Sequence, residues 1–506
     1  MSLFGLVGAL GTRRVGSALS IVSARRHRLT KRRGGHTSAQ QSPSADTWWG
    51  RDPRWFPEGT PPRQRNQVTP LVDGHSYFPA LAEALRNARH YVYIVGWCLT
   101  PNMPLERRDE SEMIQSRLVS LLAEAAGRLP VRILLWSGSP FLFQPTARSV
   151  RQLRDVLAKE GHGDMQCRLD HSARVPHCHH QKAIVVDGQV AFVGGMDVTT
   201  YLGDRWDEGR HTPRMGLNWH DVQLRIQGEA VADVERNFRQ RWSASGGDDD
   251  LPHREPVCDP SWRTPVQIVR TIPIGVYPFA RGGEFGIYHA YIQALRRARR
   301  FVYIENQYLW EPDVLNELLA AIHKQRDEPF RVVIVLPARA EDGKWDNDRH
   351  VDRLRAADGG RNIVSVYSLY SSGPGGGKRP FTYKAIYVHA KVAIVDDEWM
   401  TVGSANLNHR GLATDSELNV IVHDAKIARA LRVELWSEHL GITKEEVERT
   451  DPIDLIDQRW VARAEENKAI REQFERPLAC HVYRYETGHV PGTSLLEAVE
   501  VMTFDL

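Results

Sequence analysis

HHQKAIVVDGQVAFVGGMD, residues 179–197, contains a histidine, one intervening residue, a lysine, four further residues and an aspartate: His180, Lys182 and Asp187. VHAKVAIVDDEWMTVGSANLN, residues 388–408, repeats the pattern with His389, Lys391 and Asp396, 209 residues further on. Lysine is scarce in this chain, so an accidental H-x-K-x4-D is expected in roughly a few per cent of such sequences. Two copies at matched positions are a strong signal. In an extended segment, residues i and i+2 project from one face, so His180 and Lys182 are expected to point together, as are His389 and Lys391. The apolar runs behind them, Ala183–Val186 and Val392–Val395, read as buried strands. Asp187 and Asp396 complete the two catalytic motifs. Their odd spacing from the lysines puts them on the opposite face, which points to a structural role.

The duplication extends beyond the motifs. Residues 81–94, LAEALRNARHYVYI, align with residues 291–304, YIQALRRARRFVYI. Leu81, Ala84, Leu85 and Ala88 form one helical stripe, and a β-branched and aromatic run follows as a buried strand. Further strands are expected at Val131–Trp136 and Arg331–Leu336. The predicted fold class is therefore α/β, with two homologous sandwich lobes packed about a pseudo-twofold axis. The expected units are residues 1–50 as a disordered or targeting segment, 51–250 and 251–450 as the lobes, and 451–506 as a C-terminal extension. The Gly/Asp/Pro-rich stretch 245–260 marks the boundary between the lobes.

If the lobes pack this way, two imidazoles and two ammonium groups converge on one small volume. That combination suits a phosphodiester. Lysines neutralise the nonbridging oxygens and the charge that grows on them in the transition state. One neutral histidine attacks phosphorus, and the other, protonated, gives its proton to the leaving alkoxide.

Charge narrows the substrate class. Eight Arg and Lys residues and no acid precede Asp46, so +3 overall minus +8 leaves −5 on the remaining body. A mildly acidic body matches a polyanionic duplex poorly, and no stable nucleic-acid partner is expected. The Arg-rich first 50 residues suit a twin-arginine signal, a mitochondrial presequence or a basic tail able to touch anionic headgroups. Peripheral membrane or cytoplasmic placement is the expectation. Five cysteines (Cys98, Cys167, Cys178, Cys258 and Cys480) without a C-x-x-C pair indicate neither a disulfide scaffold nor a cysteine-rich zinc site. The cluster His177, Cys178, His179, His180 alternates between faces and has no second ligand group, so no metal is assigned.

These motifs resemble the paired HKD motifs of the phospholipase D superfamily, across roughly residues 68–445. GGMD (194–197), RWD (205–207), WHD (219–221), ENQY (305–308), GSANLNHR (403–410) and LWSEHLG (435–441) resemble its lipid-hydrolysing, eukaryotic-type branch. The resemblance implies a covalent phosphohistidine intermediate with no cofactor or metal. It makes His180 the nucleophile and His389 the general acid. Lys182, Lys391 and Asn406 match phosphate-binding positions. Glu417 matches the acidic partner of His389, and aligning the following strands sets Asp221 opposite Glu417, with a 13-residue insertion in the first half. Gly195 and Asp197 stand where the second copy has Ser404 and Asn406, which weakens a phosphate role for Asp197.

The expected activity is phospholipase D hydrolysis of a phosphatidylcholine-like glycerophospholipid at a membrane surface, with transphosphatidylation open to it. A cardiolipin or related phospholipid synthase and an HKD nuclease are the alternatives. Phe141–Phe143 reads as a loop able to enter headgroups, and Ser371–Pro380 as a flexible loop able to gate the site. No calcium-binding module is expected ahead of the repeat, and the helix-like part of the extension, about 457–476, is expected to brace the core or bind a partner.

Overall fold

The computed structural model describes residues 52–488, apart from residues 53, 58, 140–144, 161–162, 174–176, 202, 215, 325, 327, 340–343 and 377–378. The basic segment 1–50, the loop Phe141–Phe143, part of the 371–380 loop and the end of the C-terminal extension lie outside the described residues.

The first half supplies β1 (Asn66–Val72), β2 (Val92–Gly96), β3 (Val131–Trp136), β4 (Met165–Asp170), β5 (Ala183–Val186), β6 (Val190–Gly194), β7 (Asn218–His220) and β8 (Val222–Gly228). The second supplies β9 (Val266–Ile272), β10 (Glu284–Phe285), β11 (Phe301–Glu305), β12 (Arg331–Val335), β13 (Val364–Pro374), β14 (Phe381–Val388), β15 (Val392–Val395), β16 (Trp399–Gly403), β17 (Glu417–Val422) and β18 (Val482–Arg484). The first sheet runs β1-β8-β6-β5-β2-β3-β4, and the second contains the run β9-β17-β16-β15-β11-β12-β13. Position by position, the two orders are the same. In both, the strand after the repeat helix pairs parallel to the next strand and antiparallel to the strand behind the HKD lysine. The duplication read from the motifs is a duplication of topology.

The period-2 alternation of β5 and β15 builds the layers. Ala183, Val185, Val392 and Ile394 face one shared core between the sheets, together with Phe238 and Trp242 of helix Val231–Ala244 and Leu431 and Trp436 of helix Ala425–Leu440. Ile184 and Val186 face an outer core under helix Asp73–Asn87, while Ala393 and Val395 face its counterpart under helix Gly286–Arg297. The strands are therefore buried on both sides, which is why they read as continuous apolar runs.

The lobes also exchange segments across the boundary expected near residue 250. Strand β7 leaves its own half and pairs parallel with β14 of the other, placing Val388 opposite His220. Trp55 and Phe56 join the outer core of the second lobe. Strand β18 pairs with β13, so this part of the extension is a strand of the second sheet. Arg241 of the first lobe reaches Tyr277 of the second at 3.1 Å. Arg270 of the second lobe reaches Gln240 of the first at 2.8 Å.

Asp187 and Asp396 lie at the far end of β5 and β15 from the lysines, a four-residue strand of about 13 Å away. Asp187 accepts from the backbone N–H groups of Arg89, His90 and Tyr91 at 2.7–2.9 Å. Asp396 accepts from Arg299, Arg300 and Phe301, each at 2.8 Å. Each carboxylate thus ties its motif to the helix–strand junction of the repeat, from a left-handed backbone with φ of 56° and 57°. Although they belong to the catalytic motifs, these two aspartates do not face the histidines. Asp187→Ala or Asp396→Ala is expected to cost about 2 kcal/mol or more, because three N–H groups lose their acceptor. Thermal denaturation measures that loss, and kcat at a temperature where the variant is folded should stay near wild type. A collapse in kcat with an unchanged Tm would return them to the chemistry.

Candidate active site

His180 and Lys182 precede β5 rather than lying on it, and His389 and Lys391 precede β15 in the same way. Both segments are extended because each pairs with the opposite lobe. The N–H of His180 donates to the carbonyl of Ser416 at 2.9 Å, and the N–H of His389 donates to the carbonyl of His220 at 2.8 Å. Ser416 and His220 immediately precede Glu417 and Asp221, so the cross-lobe pairing decides which acid meets which imidazole. His180 Nδ1 lies 3.0 Å from Glu417 Oε1, and His389 Nδ1 lies 2.6 Å from Asp221 Oδ2.

This corrects the expected pairing. Glu417 sits on His180, not on the histidine of its own repeat, and Asp221 sits on His389. Each half-site is completed by the other half. An acid on Nδ1 fixes the tautomer and turns Nε2 outward, and among the described residues neither Nε2 makes a hydrogen bond.

Each lysine folds back to its own motif. Lys182 Nζ donates to the His180 carbonyl at 2.9 Å, and Lys391 Nζ donates to the His389 carbonyl. The four groups share one electrostatic environment. Burial, then the charges of Lys182 and Lys391, hold His180 well below the usual imidazole range. Burial, then Lys391, Arg205 and Lys182, do the same to His389. Burial raises the Glu417 carboxyl well above its usual range and Asp221 to about 7, while it lowers the Lys391 ammonium to about 7. Burial and the two lysines thus favour the neutral form of both imidazoles. An entering phosphodiester supplies the negative charge that favours the protonated acid.

The halves differ at the phosphate end. Lys182 Nζ is 3.0 Å from Asp197 Oδ2, a buried ion pair that offsets its charge. Asp197 Oδ1 also accepts the N–H of Trp97 at 2.9 Å, so the residue serves as an anchor. Asn406 occupies the matching place in the second half, and its buried Oδ1 has no hydrogen-bond partner among the described residues. No carboxylate lies within ion-pair distance of Lys391 among the described residues, so the second half offers phosphate the less compensated cation.

The Gly195/Ser404 difference is steric. A Cβ on Gly195 would lie 2.1 Å from Asp221 Oδ1, whereas Ser404 Oγ donates to Glu417 Oε2 at 2.5 Å. Gly195→Ala is therefore expected to push Asp221 off His389. A displacement near 1 Å costs about 10²-fold in kcat/KM, measured beside a thermal melt that should show the fold intact. Wild-type kcat/KM in this variant would show that the Asp221 contact does not matter.

The sequence reading missed the walls of the site. Trp97 and Trp219 stand edge-on to His180 and His389, with ring centroids 6.2 Å and 5.0 Å away. Arg205, from the 13-residue insertion, lies over Trp219 at 3.6 Å. The WHD and RWD segments carried that signal, but nothing in their spacing said which histidine they would flank.

Two half-sites, each holding the acid that orients the other's imidazole, form one centre that carries the groups a displacement at a phosphodiester needs. Comparison with known proteins agrees. Residues 84–218 match a family model described as phospholipase D, and residues 291–438 match one described as cardiolipin synthase, PLD-like domain. The chain belongs to the phospholipase D superfamily. It is 28% identical to phospholipase D A of Dictyostelium discoideum over 76% of this chain, spanning 36% of that protein. It is 25% identical to phospholipase D alpha 1 of Vigna unguiculata over 83% of this chain and 71% of that protein. In fold it is similar to the phosphatidylserine synthase of Haemophilus influenzae Rd KW20, with a TM-score of 0.51 and 14% identity over 77% of this chain and 88% of that one.

Proposed function

We propose that this protein is a phospholipase D that cleaves the phosphate–headgroup bond of a glycerophospholipid, phosphatidylcholine in type, at a membrane surface. The observation that carries the reading is the crossed pair of imidazole–acid contacts, Glu417 on His180 and Asp221 on His389. The lipid substrate class is supported by the relatives, which bear phospholipase D names and align with three quarters or more of the chain.

In the first displacement, neutral His180 Nε2 attacks phosphorus, and protonated His389 Nε2 delivers its proton to the departing headgroup oxygen. Lys182, Lys391 and Asn406 hold the nonbridging oxygens. In the second, His389, now neutral, takes a proton from water as that water attacks the phosphohistidine. Phosphatidic acid leaves and His180 is restored. Glu417 and Asp221 stabilise the positive charge that each ring carries in turn. An alcohol in place of water gives transphosphatidylation.

A second reading, a phospholipid synthase in which a lipid alcohol is the acceptor, is favoured by the cardiolipin synthase description of the second-half match. Headgroup release from phosphatidylcholine vesicles, compared with phosphatidylglycerol vesicles and single-stranded DNA, separates the readings. Choline release without DNA cleavage is expected. Lipid joining on phosphatidylglycerol, with no choline release, would establish the synthase, and DNA cleavage alone would overturn the lipid assignment.

A further inference from the structure

Behind the WHD segment lies a second buried cluster, which the phosphodiester chemistry does not use. His220 Nδ1 is 3.1 Å from Asp73 Oδ1 and 3.2 Å from Glu438 Oε1. His211 Nε2 is 3.1 Å from Asp73 Oδ2 and 3.4 Å from Glu438 Oε1. The four contacts close a ring with two nitrogens and two carboxylates at alternate corners. Asp73, His211 and His220 come from the first half and Glu438 from the second, so the ring spans the seam between the lobes.

A hydrogen-bonded network would aim each N–H at an oxygen. Here the directions fail. His220 Nδ1 and Asp73 Oδ2 are buried with no hydrogen-bond partner, despite neighbours at 3.1 Å. Only His211 Nε2 and Glu438 Oε1, the longest contact of the ring, meet as a hydrogen bond. One donor atom from each of Asp73, His211, His220 and Glu438 can be chosen so that all four lie within 4.8 Å of one another, compact enough to surround a single small cation.

The surroundings fit the same reading. The second nitrogen of each imidazole faces another carboxylate: His220 Nε2 lies 3.0 Å from Glu305 Oε2, and His211 Nδ1 lies 3.2 Å from Asp207 Oδ2. That is the outer carboxylate arrangement that orients a ligating imidazole. Asp73 and His211 also hold left-handed backbones, with φ of 60° and 43°, a cost borne where a side chain must reach a fixed point. Two carboxylates balance a divalent cation, and mixed nitrogen and oxygen donors suit zinc better than calcium or magnesium. Glu438 alone is partly exposed, on the wall of a cavity of about 690 Å³ that offers an entry path.

We propose that Asp73, His211, His220 and Glu438 bind one zinc ion, a structural site that pins the lobes together behind the catalytic seam. Its position gives it an effect on the site. Asp73 Oδ1 accepts the Asp221 N–H at 3.0 Å, and the His220 carbonyl accepts the His389 N–H at 2.8 Å. The ion therefore fixes the segment that carries the acid of His389, as a positioning group and not a reactant.

Elemental analysis of the full chain, purified without chelator or affinity metal, is expected to find about one zinc per chain. Glu438→Gln, at the rim of the cluster, should lower that content and the Tm together, with Tm partly restored by added zinc. Cobalt(II), refolded into the metal-stripped chain, should give the visible absorption of a tetrahedral site, and His211→Asn should abolish it. Folded wild-type protein with no bound metal, and a Tm indifferent to zinc, would overturn the proposal and leave the cluster as an imidazolium–carboxylate network. A metal that stays in full amount in both variants would overturn the ligand assignment.

Discussion

His180→Ala and His389→Ala should each lower kcat on phosphatidylcholine by about 10⁴-fold or more while leaving the fold intact. The two losses have different causes. Without His180, phosphorus has no nucleophile and no covalent intermediate forms. Without His389, the headgroup alkoxide leaves unprotonated and the second water has no base. The first-turnover rate of His389→Ala should therefore recover when the leaving group is a good one such as p-nitrophenolate, although its steady-state kcat stays low, whereas His180→Ala should recover in neither. The double variant should be little worse than His180→Ala alone, because the two residues act as a unit. Choline release and p-nitrophenolate release, measured side by side, provide the comparison. Substantial choline turnover by either single variant would rule out the two-histidine mechanism.

Glu417→Gln and Asp221→Asn should each cost about 10²–10⁴-fold in kcat, the range for an acid that orients a catalytic imidazole. The crossed contacts determine which step each variant slows. Glu417 holds His180 at 3.0 Å, so its loss weakens attack and destabilises the phosphohistidine. Asp221 holds His389 at 2.6 Å, so its loss weakens proton delivery. Asp221→Asn should therefore share the leaving-group dependence of His389→Ala, and Glu417→Gln should not. A reversed pattern would restore the same-half pairing suggested by the alignment of the repeats. Leaving-group dependence across a short series of phenyl esters decides it.

Much of the fold was legible because the chain states it twice. Ala183–Val186 and Val392–Val395 are the strands that their apolar runs predicted, residue for residue. Strand Val131–Trp136 also has its predicted bounds, and Arg331–Val335 stops one residue short of prediction. Odd spacing predicted an opposite face for Asp187 and Asp396, whereas they lie at the far end of each strand from the lysines, tied to the helix–strand junction. What periodicity did not carry was contact between the halves. Asp221 follows the first motif and Glu417 the second, so alignment assigns each acid to its own repeat. The swap arises from backbone pairing between Val388 and His220, and between His179 and Ser416, segments far apart in the chain. The four-residue cluster at Asp73 was invisible for the same reason. Its members come one at a time from separate segments, and one of them, His211, lies in the insertion that the second half lacks.

The most direct measurement of the central claim mixes His389→Ala with a p-nitrophenyl ester of phosphatidic acid and follows both products. Departure of p-nitrophenolate needs little help from an acid, while hydrolysis of the intermediate still needs the missing base. The account predicts a burst of about one p-nitrophenolate per chain, with the phosphatidyl group found on the peptide that contains His180. Steady turnover with no burst and no phosphohistidine, or an adduct on any other residue, would contradict it.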